Sequence, residues 1–202
     1  MVRTLYVAST NPGKLRDFSL AAARHSIQIL PLPGLADIEA PPEDALTFEE
    51  NAIEKANYYS RFVPGEEVLA DDSGLEVEHL QGAPGVRSAR YAADAGFHPT
   101  SKTDENNNLF LLQQLAGTSD DQRGARYHCV LAVARDAVSV LTAQGTVEGR
   151  ILPAPRGSGG FGYDPLFYVP AVERTMAELD DQARWSRSHR GEAFRALLQL
   201  LV

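Results

Sequence analysis

Leu5-Tyr6-Val7-Ala8-Ser9-Thr10-Asn11-Pro12-Gly13-Lys14 is the stretch that decides the fold class. Leu5 to Ala8 is a short apolar run and reads as a buried strand, while Ser9 to Gly13 is turn chemistry. A helix is expected from about Lys14 to about His25, with a second strand over Ile27 to Leu32. The opening is therefore βαβ-like. Working outward, Pro31 to Asp44 is a loop rich in proline and acid. Thr47-Phe48-Glu49-Glu50 then fits a capping box, and Phe48, Ala52, Ala56, Tyr59 and Val63 recur at helical spacing. Val68-Leu69-Ala70 is a short apolar run ending in Asp71-Asp72-Ser73-Gly74, and Leu75-Glu76-Val77 is expected to be the next strand. A polar start at Ser101-Lys102-Thr103-Asp104 leads a helix through Leu109, Leu112 and Leu115 to Gly117. Ala125 to Arg135 and Val138 to Thr146 are β-rich runs joined by Asp136-Ala137, which predicts a hairpin. Pro153 to Pro165 is Gly-rich, and a last helix carries Phe194, Leu197, Leu198 and Leu201 on one face. Hairpins and crossovers together predict an α/β fold with a mixed sheet, residues 1–202 forming a single domain.

The formal net charge is −8. That argues against a nucleic-acid binder, which shows a basic face. It also repels an anionic substrate at long range, so such a substrate needs local charges, a helix N-terminus or a metal. Only three of the 19 basic residues are lysines: Lys14, Lys55 and Lys102. In so Arg-biased a chain, a lysine marks a place where a compact point charge is useful. Lys14 and Lys55 are taken as substrate contacts. No stretch has the length of a transmembrane helix, and the start reads as a strand rather than a signal peptide, which predicts a cytoplasmic protein without membrane partners. The one cysteine, Cys129, lies in an apolar run and reads as core filler.

Three segments carry chemistry. Ser9-Thr10-Asn11-Pro12-Gly13-Lys14 offers backbone N–H groups, a helix N-terminus and a mobile cation, which makes an anion site, although the Walker pattern is missing. Asp71-Asp72-Ser73-Gly74 places adjacent carboxylates together, a cost that a divalent cation relieves. Mg²⁺ takes one or two protein carboxylates, with the Glu43-Asp44 loop or Glu49-Glu50 as further sources. The plainer alternative is a solvated acidic turn. Gly157 to Pro165 combines flexible backbone with Phe161, Tyr163 and Asp164; an aromatic there either stacks on a base or tucks into the core. Ser188-His189-Arg190-Gly191 sets two donors at a helix start, and Arg184, Arg187 and Arg190 make a basic cluster.

Taken together, these segments resemble the inosine triphosphate pyrophosphatase family, which acts on non-standard purine nucleotides and includes dITP/XTP pyrophosphatases. The similar pieces are Ser9 to Lys14, Thr47 to Ala52, Ala70 to Leu75, Gly82-Ala83-Pro84-Gly85, Gly160 to Pro165 and Ser188 to Gly191, in the family's order. The resemblance implies an elongated mixed sheet, two lobes with a central cleft, and a homodimer. It implies Mg²⁺-dependent cleavage of ITP, dITP or XTP between the α- and β-phosphates. The resemblance assigns Ser9, Asn11 and Lys14 to phosphate, with Lys14 also catalytic; Thr10, Pro12 and Gly13 of the same loop are expected to touch the substrate. It makes Asp72 base and metal contact, Ser73 a substrate contact and Glu43 a second metal ligand. It gives the purine base to Phe161, Gly162, Tyr163, Asp164, His189 and Arg190. The family has a lysine five residues before the His-Arg pair; here that position is Arg184, which keeps the charge and changes the geometry. The competing readings are a phosphotransferase, against which the missing kinase-type phosphate loop counts, and a nucleotide sensor without turnover, which gains nothing from paired carboxylates unless a metal is present.

Overall fold

The computed structural model describes residues 2–201. The expected βαβ opening is present: β1 (Arg3–Val7), α1 (Pro12–Ala22) and β2 (Ile27–Pro31), with β1 and β2 parallel and Leu5 opposite Ile29. The helix starts two residues earlier than the sequence suggests. Asn11 is its N-cap, the side-chain oxygen accepting from the N–H groups of Gly13 and Lys14 at 2.9 and 3.2 Å, and Pro12 suits the first turn because its missing N–H is not needed there.

Thr47 caps α2 (Phe48–Ser60), accepting from Glu50 N–H at 3.1 Å. The Glu50 carboxylate accepts from the Thr47 hydroxyl at 2.9 Å, so the reciprocal half of a capping box is replaced by a side-chain bond. Phe48, Ala52, Ala56 and Tyr59 are buried, as their spacing predicts. The acidic pair departs from expectation. Glu67–Val77 is one continuous strand, β3, and Asp71-Asp72-Ser73-Gly74 runs through it rather than closing it. The central position of β3, between β1 and β4, supplies ladder partners that propensity alone does not count.

Past α3 (Tyr91–Asp94) comes α4 (Thr103–Gln114): Leu112 and, at the C-cap, Leu115 pack on the core as expected, Leu111 joins them, and Leu109 departs from expectation in being 40% exposed. β4 (Gly124–Arg135) and β5 (Val138–Ile151) form the expected hairpin. Its two-residue turn has φ of 51° at Asp136 and 65° at Ala137, the primed turn that matches strand twist. Short strands β6 (Phe167–Val169) and β7 (Arg174–Thr175) follow, then α5 (Asp181–Arg187) and α6 (His189–Leu201). Among the described residues the sheet has seven strands in the order β2-β1-β3-β4-β5-β6-β7. β1 is parallel to β3, and β6 is antiparallel to both β5 and β7, so the α/β fold has a mixed sheet flanked by helices. No helix among the described residues is long and apolar enough to cross a membrane.

The chain divides into two compact units. One takes residues up to 72, 129–145 and from 190 on; the other takes 73–128 and 146–189. In the first unit Phe18 of α1 stacks on Phe194 of α6 at 4.5 Å, and both are fully buried. Also in it, buried Glu67 is held by Arg3 and Arg135. The second unit packs Leu75, Val77, Leu111, Leu115, Tyr127, Tyr163, Leu166 and Phe167 in one core.

Candidate active site

The first unit gathers four cationic or amide side chains on two adjacent carboxylates. Neighbouring residues on a strand point to opposite faces. Asp71 and Asp72 therefore meet different partners. The Lys14 ammonium donates to Asp71 Oδ1 and Oδ2 at 2.9 and 2.8 Å, and Arg190 Nε lies 3.5 Å from Oδ2. Burial pushes the Asp71 carboxyl up, but Lys14, Arg190 and Lys55 outweigh it and hold the group well below the usual carboxylate range. Asp72 receives Lys55 Nζ at 2.8 Å and Asn51 Nδ2 at 3.2 Å. Here burial wins over the Lys55 charge, so the Asp72 carboxyl is raised. Of the pair, Asp71 is held as the anion and Asp72 is the more readily protonated.

Lys55 also donates to Glu43 Oε1 at 3.1 Å. Two carboxylates from a loop and a strand thus converge on one ammonium. Burial lowers the Lys55 pKa, but Asp72, Glu43 and Asp71 outweigh it and the ammonium stays charged. Asn51 completes the arrangement, since its Oδ1 accepts from Ala45 N–H at 3.1 Å and ties the acidic loop to the strand. Sequence reasoning left Asn51 out of the site. Its signal is the spacing to Lys55: four residues on a helix put both side chains on one face, beside the apolar stripe. The Asn11 side-chain oxygen is committed to capping α1; Ser9 Oγ accepts from Asn11 N–H at 3.2 Å, and Thr10 is exposed beside it.

The second unit holds the aromatic loop. Phe161 is 57% exposed, whereas Tyr163 is 4% exposed and donates its hydroxyl to the Ser88 carbonyl at 2.8 Å. The Tyr163 ring is thus a core group, and of the two aromatics only Phe161 offers a face for stacking. Asp164 is also buried: its carboxylate accepts from Phe161 N–H at 3.2 Å and from the Tyr127 hydroxyl at 3.1 Å. Gly160 has φ +72°, and a Cβ there would collide with that carboxylate, so glycine is required. His189 stacks on Tyr127 at 4.7 Å. Of the expected His189-Arg190 pair, His189 meets Tyr127 and Arg190 meets Asp71. Arg184 donates to the Leu179 carbonyl at 3.0 Å, pairs with Asp181 and lies against Gly159.

Other features are ruled out. Cys129 is fully buried, and burial pushes its thiol up to about 12, so it is core filler as its apolar setting predicts. A hollow of about 330 Å³ lined by Glu76, Glu78, Glu148 and Arg126 has the wrong sign for an anionic ligand. Among the described residues no group of three or more His, Cys, Asp or Glu is placed to hold a metal ion. Two carboxylates converging on one cation are within what Mg²⁺ accepts from protein, so Glu43 and Asp72 fit that ion as oxygen donors.

An α/β protein with a mixed sheet, whose strand β3 carries two adjacent carboxylates each bonded by its own lysine, is the class that the fold and site define. The particular family follows from comparison: residues 5–200 match the Ham1 family, and the chain belongs to it. A dITP/XTP pyrophosphatase of Acidobacterium capsulatum is 57% identical over 203 residues, covering 100% of this chain and 99% of that relative. One from Burkholderia pseudomallei is 48% identical over 199 residues, covering 98% and 92%. Among solved structures, a HAM1 protein from Coxiella burnetii has a TM-score of 0.86 at 38% identity, and the Staphylococcus aureus Ham1 protein 0.84 at 37%, each covering 98% of both chains.

Proposed function

We propose that this protein hydrolyses non-standard purine nucleoside triphosphates, such as ITP, dITP and XTP, to the monophosphate and pyrophosphate. The observation that carries the reading is that Lys14 bonds Asp71 while Lys55 bonds both Asp72 and Glu43, which brings these carboxylates and both ammonium groups together in one unit. The names of the relatives support the substrate class.

In this reading Asp72 accepts a proton as a water oxygen bonds to the α-phosphorus. The bond from that phosphorus to the α,β-bridging oxygen breaks, and pyrophosphate leaves. Lys14, Lys55, Ser73 and the N-terminal turn of α1, with Ser9 to Gly13, hold phosphate oxygens. Glu43 and Asp72 would hold Mg²⁺, which supplies charge neutralisation and Lewis acidity to the phosphates when bound. Phe161 stacks on the purine, and His189 and Arg184 supply donors near it. A 6-keto group accepts such donors, whereas the 6-amino group of adenine leaves them unpaired, so ATP is disfavoured. The enzyme is further proposed to be a cytoplasmic homodimer, the dimer being checked by sedimentation equilibrium.

The test is incubation with ITP and Mg²⁺. Equal amounts of IMP and pyrophosphate are expected. Initial release of IDP and orthophosphate, transfer of phosphate to an added acceptor, or unchanged ITP overturns the assignment.

A further inference from the structure

The polar start of α4 does more than begin a helix. Its N-cap, Lys102, makes no side-chain cap bond, and the Asp104 carboxylate in the first turn is given to the aromatic loop. Asp104 Oδ2 accepts from Gly162 N–H at 2.8 Å. Asn108 Nδ2 donates to the Gly162 carbonyl at 2.9 Å. The two residues are four apart, so they lie on one face of α4. Between them they take both polar backbone groups of a single residue, and that residue has φ +60°.

We propose that Asp104 and Asn108 are positioning residues that clamp Gly162, fix the loop presenting Phe161, and thereby set the affinity for the purine base. The proposal rests on the reading of Phe161 as the stacking residue. Holding both the N–H and the C=O of Gly162 stops the flanking peptide planes from turning independently. On one side of the clamp Phe161 N–H is held by Asp164; on the other the Tyr163 hydroxyl is held by the Ser88 carbonyl. The loop is therefore pinned at three consecutive residues while the Phe161 ring stays exposed. A ring fixed before binding loses less freedom on binding, and that gain is read in affinity rather than in the chemical step.

The experiment measures kcat and KM for ITP with the full chain, beside thermal melts. Asp104→Ala is expected to raise KM roughly tenfold, the equivalent of one hydrogen bond to a charged group, with kcat within about threefold. Asp104→Asn keeps an acceptor oxygen and should return KM to within about threefold of wild type. Asn108→Asp sets an acceptor against a carbonyl and should raise KM as Asp104→Ala does; it carries the comparison if Asp104→Ala does not fold. A purely structural role would lower the melting temperature and the active fraction, and leave KM in place. Unchanged KM in the Asp104 and Asn108 variants, with KM raised by Phe161→Ala, overturns the clamp. Unchanged KM in Phe161→Ala removes the stacking reading and the clamp with it.

Discussion

The Lys14 ammonium donates to both oxygens of Asp71, at 2.9 and 2.8 Å, while the next carboxylate along β3 is bonded by a different lysine, Lys55, from α2. Consecutive residues thus sit in separate ionic settings because a strand turns alternate side chains to opposite faces.

The first prediction separates the two aspartates. Asp72→Asn should lose roughly 10²- to 10⁴-fold in turnover, the usual contribution of a general base, and keep its melting temperature. Asp71→Asn should instead cost stability, about 3 kcal/mol, because it takes the buried anion away from Lys14 and Arg190. Turnover assays and melts on both variants check this, and equal destabilisation of the two would contradict it.

Acid should expose the Asp71 pairing. In the unfolded chain Asp71 takes its proton near the ordinary 3.8, whereas in the folded protein it does so only at much lower pH. Between those values the unfolded state binds more protons, so stability falls as pH falls. The contribution is present above about pH 4 and is lost progressively as pH falls from there toward the folded value. Wild type should therefore lose stability faster on acidification than Asp71→Asn does. Parallel denaturation curves for the two, taken from pH 6 to pH 3, would count against the pairing.

Chelation should abolish ITP hydrolysis, and added Mg²⁺ should restore it. Glu43→Gln should raise the Mg²⁺ concentration needed for half-maximal rate by roughly tenfold or more. A titration of rate against Mg²⁺ reads this directly, and full activity in EDTA would reject the metal assignment.

Tyr163 gives a control on the aromatic loop. Tyr163→Phe loses one hydrogen bond to the Ser88 carbonyl, which Asn107 Nδ2 still serves at 3.3 Å, so about 1 kcal/mol is expected. Tyr163→Ala removes a buried ring and should cost about 3–5 kcal/mol. Urea denaturation measures both. A strong loss of base selectivity in Tyr163→Phe, without loss of stability, would return the residue to the binding surface.

The βαβ opening, the β4–β5 hairpin and the burial of α6 were legible because each has a local signal: turn residues, alternation or helical spacing. β3 was not, because Asp71 and Asp72 are poor strand formers whose place depends on neighbours far away in sequence. Lys14, Asp72, Lys55 and Glu43 could be picked out by charge and motif, but not the pairing that sets Asp71 apart from Asp72. The different partners of His189 and Arg190, and the inward turn of Tyr163 against the outward turn of Phe161, are likewise tertiary facts. A residue's type names the chemistry it can do; the packing decides which of two like residues does it.

The stacking of Phe18 on Phe194 bears on how the chain acquires its fold during synthesis. The aromatic partner of α1 is made 176 residues after it, since 194 less 18 is 176. Until α6 leaves the ribosome, Phe18 has no Phe194 to cover it, and the first unit lacks one of its three segments. Closing so long a loop comes late, and an uncovered apolar face in the meantime invites association with other chains. A nascent chain stalled before residue 189 should therefore be protease-sensitive around α1 and prone to chaperone capture, and release of α6 should end both together.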